Sequence, residues 1–143
     1  MPVIDHDDDR PGRRIELKFD WLPGPFAICK LPADAQIPDW ALTGTFTSVT
    51  RTSDELSIVC PAGNLPPNLT SESHWICFKL QGPFTFSQVG ILASFINPLA
   101  QNGVPIFAIS TYNTDYVLIQ EEFAGIALKA LDEAGHEAGP RGE

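Results

Sequence analysis

Between Leu80 and Gln120 the sequence carries one charged side chain, Asp115. It sits at or just after "YNTD", a run of turn-forming residues. An aspartate there can serve the turn alone, by hydrogen-bonding its own backbone. It can equally be the counter-charge for the amino or guanidinium group of a ligand. The second feature is Gly90 in "TFSQVGI", at the predicted start of a helix. The first N–H groups of a helix lack internal partners and carry partial positive charge, so they can hold a carboxylate. A glycine in the first turn lets a ligand approach that backbone, although close packing of helix on sheet also favours one. A grip for a carboxylate and a counter-charge for a cation together suggest a free amino acid or a similar small metabolite.

Other chemistries have less material. The sequence has no G-x-S-x-G, no P-loop and no glycine-rich dinucleotide pattern after a strand. No catalytic residue, and hence no enzyme, is expected. Cys29, Cys60 and Cys77 are odd in number and form no C-x-x-C, and His6, His74 and His136 are scattered. Each cysteine lies in or beside an apolar run, which predicts buried thiols in strands rather than a zinc site or a disulfide framework. No metal and no cofactor are expected. The formal net charge of −9 disfavours nucleic acid, whose binding needs Lys and Arg at the phosphates. No apolar run reaches membrane-spanning length, so no membrane association is expected. Residues 1–14 contain no apolar stretch and do not read as a secretory signal, so a soluble, cytoplasmic protein is expected.

The elements that must hold Gly90 and Asp115 follow from periodicity. "RIELKF", "PFAICKL", "FTSVTRT", "LSIVC" and "HWICFKLQG" read as strands. "FSQVGILASFINPLAQNG" reads as a helix, with Val89, Leu92, Phe95, Ile96 and Leu99 at helical spacing, Ser87 as its N-cap, Phe86 stapled to Ile91, and Pro98 as a kink. "PIFAIST" and "YVLIQEE" are two further strands, and "FAGIALKALDEAG" is a helix anchored by Ile126, Leu128 and Leu131. Residues 1–14 and 136–143, rich in charge, Pro and Gly, read as disordered tails.

The chain repeats itself. Ala27–Leu31 matches Ile76–Leu80 at an offset of 49, and Phe46–Val59 matches Ile106–Ile119 without a gap at an offset of 60. On that alignment Glu55 is the counterpart of Asp115 and Arg51 of Thr111, both read as surface charges. The 11 extra residues of the second half hold the long helix, for which the first half has room for two turns at most. The expected fold class is α+β: tandem ferredoxin-like units on a mainly antiparallel sheet, with the Pro- and Asn-rich loop after Cys60 as the boundary. Residues 15–73 would form a truncated first unit and residues 74–135 a complete second one. In such a unit the strand-to-helix turn and the middle hairpin need not be close, and could meet across an interface.

"IPDWAL", "FTSVTRTSDELSIVCP", "GILAS" and "IFAISTYNTDYVLI" resemble small bacterial ACT-domain proteins related to CASTOR, the cytosolic arginine sensors. The resemblance covers roughly residues 26–135. It implies tandem ACT units with helices on one sheet face, an amino-acid ligand bound at a unit interface, and a regulatory role. It also implies ligand contacts from Thr85, Gln88, Val89, Gly90 and Ile91 on one side and from Thr111, Asn113 and Asp115 on the other. The sensors carry twice as many units, a number this chain reaches only as a homodimer. An acidic residue often found in the strand-to-helix turn is replaced by Ser87 or Gln88, which weakens the case for arginine itself. The competing reading is a ligand-free protein-interaction or self-association module, using a sheet edge and an apolar helix face.

Overall fold

The computed structural model describes residues 15–85 and 87–141. The N-terminal tail over 1–14 and the contact expected of Phe86 lie outside the described residues. The chain divides into two compact units.

Residues 24–76 form one unit. Its strands are β2 (Phe26–Leu31), β3 (Ser48–Arg51) and β4 (Leu56–Pro61), following β1 (Lys18–Trp21) of the other unit. Strand β4 lies between β2 and β3 and is antiparallel to both, with Ala27 opposite Cys60 and Val49 opposite Ile58. The connection from β2 to β3 holds only a 3-10 turn, Asp39–Leu42. Cys29, Ala41, Leu56, Ile58 and Cys60 make an apolar cluster against which Trp40, Val49, Leu65 and Leu69 pack. The short turn and loops thus cover the sheet where a helix would otherwise lie. Arg51, expected as a plain surface charge, clips this connection through hydrogen bonds to the carbonyls of Ala33 and Ala35. β5 (Glu72–Leu80) begins in this unit, with Trp75 opposite Phe26. An extra residue on β5 there shifts the register, and His74, within that irregular stretch, sits at φ 67.

The other unit joins residues 15–23 to residues 77–141. Its remaining elements are α1 (Ile91–Gln101), β6 (Phe107–Ser110), β7 (Asp115–Gln120), α2 (Ala124–Glu133) and β8 (Glu137–Arg141). The strand order is β8-β1-β5-β7-β6. β1 is antiparallel to β5 and parallel to β8, and β6 and β7 form an antiparallel hairpin. Phe19 of β1, Phe78 of β5 and Phe95 of α1 meet edge to face, with centroids 5.0, 5.1 and 6.3 Å apart. Such contacts are each worth about 0.5–1.5 kcal/mol beyond the area they bury. Leu99, Val117, Leu118, Ile119, Ala127 and Leu131 complete the core. The fold is α+β, with an antiparallel-dominated sheet and two helices in a ferredoxin-like order.

Several expectations are corrected. The first half does not own residues 15–23: β1 pairs β5 and β8 because Leu17 and Phe19 are buried in the Phe78–Phe95 core. Residues 137–141 are not a tail but strand β8, whose Pro140 is tolerated because β8 ends the strand order and needs no donor on its outer side. Helix α1 begins at Ile91, so Ser87 is not its N-cap, and its buried face is Ile91, Phe95 and Leu99 at four-residue spacing. In α2 the buried residues are Ala127, Ala130 and Leu131, whereas Ile126 is 51% exposed.

The two hairpins correspond at a register other than the one expected. In one hairpin the last pair is Arg51 with Leu56, and in the other Ser110 with Asp115, an offset of 59 rather than 60. The turn hydrogen bonds agree, since the Thr52 N–H donates to Glu55 and the Thr111 N–H to Thr114, both at 2.9 Å. Asp115 therefore takes the place of buried Leu56, not of Glu55, and the buried triplets Ile58–Cys60 and Val117–Ile119 coincide.

Candidate ligand-binding site

The loop from β5 to α1 forms one wall of a cleft of about 340 Å³. Within it the Thr85 N–H donates to Gln88 Oε1 at 2.7 Å, and the Gln88 N–H returns to the Thr85 carbonyl at 3.1 Å. The Thr85 and Ser87 hydroxyls lie 3.0 Å apart. Gly90 then takes φ 78 and ψ 2 as the N-cap of α1. A side chain is costly in that left-handed conformation. Space is not the reason for the glycine, because a β-carbon would meet only Ile15 Cδ1 at 3.5 Å. The Gly90 carbonyl accepts from the Ser94 N–H at 2.9 Å, which opens the helical ladder. Among the described residues no side chain caps this helix, and the N–H groups of Ile91, Leu92 and Ala93 have no acceptor within it.

The β6–β7 turn forms the other wall. Thr111 donates to the Thr114 carbonyl through both N–H and Oγ1, at 2.9 and 3.0 Å. Buried Thr114 donates through Oγ1 to the Leu80 carbonyl at 2.7 Å, tying the turn to the end of β5. The Phe84 N–H donates to the Asn113 carbonyl at 2.9 Å and so fastens the two walls together. Asp115, the first residue of β7, does not bond its own turn. It is half-buried and accepts from Ser110 Oγ, its cross-strand neighbour, at 2.5 Å.

Seven of the eight residues expected of a site line this cleft: Thr85, Gln88, Gly90, Ile91, Thr111, Asn113 and Asp115. The eighth, Val89, does not; it is 65% exposed. The strand-to-helix turn and the hairpin meet inside one unit, because the Thr114–Leu80 and Phe84–Asn113 bonds hold them side by side. Phe84, Leu92, Ala93, Ser110, Tyr112 and Thr114 line the cleft as well and were not anticipated. Ser110 was in principle legible: a four-residue turn makes it the partner of Asp115. Among the described residues Asp115 is the sole charged residue of the lining, opposite the N-terminus of α1. The volume falls at the small end of ligand pockets and suits a metabolite.

No cysteine takes part. Cys29, Cys60 and Cys77 are buried free thiols. Burial pushes the Cys77 thiol up to about 12, and burial together with the neighbouring Cys29 pushes Cys60 up to about 11. Among the described residues no group of three or more His, Cys, Asp and Glu side chains could hold a metal ion, and no helix is long and apolar enough to cross a membrane.

A strand–helix–hairpin unit whose first helix starts beside the hairpin turn is the arrangement of an ACT domain, and residues 70–133 match the ACT-domain family model. A second model, of an N-terminal domain, matches residues 24–68. The chain belongs to the same family as protein Atu0741 of Agobacterium tumefaciens, with which it shares 39% identity and a TM-score of 0.83 over 90% of this chain and 97% of that one. It is also similar to Vibrio cholerae protein VC0802, described as a possible transport protein, at 23% identity and a TM-score of 0.68, over 84% of this chain and 91% of that one. The regulatory subunit of aspartate kinase from Thermus thermophilus is similar in fold, at 14% identity and a TM-score of 0.53, over 77% of this chain and 91% of that one. No curated protein matches the chain.

Proposed function

We propose that this protein is a small-molecule-binding regulatory protein of the ACT type, and that its ligand is a free amino acid or a close analogue. One observation carries the reading: the uncapped N-terminus of α1 and the carboxylate of Asp115 face one small cleft. The ligand's carboxylate would sit on the helix N–H groups and its ammonium on Asp115. The ACT match over 70–133 and the fold shared with a regulatory subunit of aspartate kinase support a regulatory rather than catalytic role.

The finer reading is a CASTOR-like, cytoplasmic, tandem ACT protein acting as a homodimer. The tandem part is supported by the matching strand–connection–hairpin order in residues 26–61 and 72–120. The dimer is supported by Tyr112, which lines the cleft yet is 80% exposed, and by Val89, an exposed apolar side chain on the loop before α1. The same two side chains are what favours the alternative, a self-association module without a ligand. Thermal-shift measurement against the proteinogenic amino acids separates the two. Stabilisation by at least one at about 10 mM is expected, corresponding to millimolar or tighter binding, roughly 4–8 kcal/mol. A flat response across the panel refutes ligand binding.

A further inference from the structure

A second cleft, also about 340 Å³, shares Asn113 and Thr114 with the first and is otherwise lined by Asp20, Lys79, Gln81, Gly82 and Pro83. Asp20 of β1 and Lys79 of β5 stand directly opposite in the antiparallel pair, so their side chains leave the same face. Among the described residues they form no ion pair with each other. The Asp20 carboxylate is instead held by Gln81, whose Nε2 donates to Asp20 Oδ1 at 2.8 Å. Gly139 of β8 makes this possible: a β-carbon there would lie 2.8 Å from Asp20 Oδ1 and 3.6 Å from Gln81 Nε2. Three stretches of chain thus cooperate to place one carboxylate in a cleft that also offers an ammonium.

We propose that this second cleft binds a small zwitterionic metabolite bearing one carboxylate and one ammonium group. The carboxylate pairs with Lys79 Nζ, and the ammonium with Asp20 and Gln81 Oε1. A simple anion on Lys79 would lie beside the Asp20 carboxylate, and a simple cation on Asp20 would lie beside Lys79. A zwitterion satisfies both charges at once. This site stands independently of any ligand in the first cleft.

The test is backbone-amide NMR of the 15N-labelled full chain, titrated with each proteinogenic amino acid to about 10 mM. At least one should move the amides of Lys79, Gln81 and Gly82. The response should persist in Asp115→Asn, which removes the charge of the first cleft. Lys79→Met should weaken the apparent Kd about tenfold, the loss of one charge-assisted hydrogen bond. Asp20→Asn, which keeps an acceptor for Gln81, gives an independent second reading with the same expected loss. The proposal is overturned if no amino acid moves these amides in Asp115→Asn, or if both Lys79→Met and Asp20→Asn leave the Kd unchanged.

Discussion

His136 donates through Nε2 to the carbonyl of Ser94 at 2.8 Å, and that carbonyl is the one whose helical donor would be residue 98, a proline. A proline inside α1 removes one rung of the ladder. A histidine 42 positions from Ser94 supplies it instead. The Leu17 N–H meets His136 Nδ1 at 3.0 Å, so Nδ1 must accept and Nε2 must carry the proton. His136→Leu leaves a buried donor and a helical acceptor without partners and should cost about 2–4 kcal/mol in urea unfolding. Pro98→Ala, added to that variant, restores the helical donor to Ser94 and should recover at least about 1 kcal/mol. Additive losses would show that the two residues are not exchanging one role.

Asp115→Asn removes the one charge that the described residues bring to the first cleft while keeping an acceptor for Ser110. Its effect on the unliganded melting temperature should be small. Any amino acid that stabilises the parent protein should stabilise this variant far less, by about 1.5–3 kcal/mol of binding free energy. An unchanged thermal shift means that the ligand's cation is not held there.

Gly90 is required by its backbone conformation rather than by crowding. Gly90→Ala should therefore destabilise the protein by about 1–2 kcal/mol. The circular-dichroism spectrum should be little changed, since α1 is anchored by Ile91, Phe95 and Leu99. A stability within about 0.3 kcal/mol of the parent would contradict the left-handed N-cap.

The buried thiols should make stability depend on alkaline pH. Cys77 is pushed up to about 12 from its ordinary 9.0 by burial, so above pH 9 the unfolded chain releases a proton that the folded one keeps. The unfolded state then binds fewer protons, and stability falls as pH rises. The contribution of this thiol is fully present below pH 9.0 and is lost on the way to about 12. Equilibrium unfolding in that window should show a shallower decline for Cys77→Ala than for the parent protein.

Much of the second half was legible because it obeys local rules. "HWICFKL", "IFAIS" and "YVLIQ" announce strands, and the lone Asp115 announces a polar position in an apolar stretch. Long-range facts were hidden. Ser87 fits an N-cap as well as Gly90 does, and only the φ of Gly90 decides between them. The alternative offsets of the repeat, 59 and 60, look nearly alike in apolar runs such as "LSIVC" and "YVLIQ". Hydrogen-bonded pairing distinguishes them, and a one-residue slip reverses which side chains face inward. "EAGPR" reads as a tail because its strand character comes wholly from β1.

That last pairing bears on how the protein can be trimmed. Among the described residues β8 pairs with β1 alone, so Glu137–Arg141 depends on residues far from it in the sequence. Cutting the chain after Trp21 would strand β8 and uncover one edge of β5. Hydrogen exchange at residues 137–141 should then accelerate together with that at residues 78–80, and protease sensitivity should appear at both places at once. The two ends of the described chain behave as one cooperative element, and a truncation designed from either side alone would loosen both.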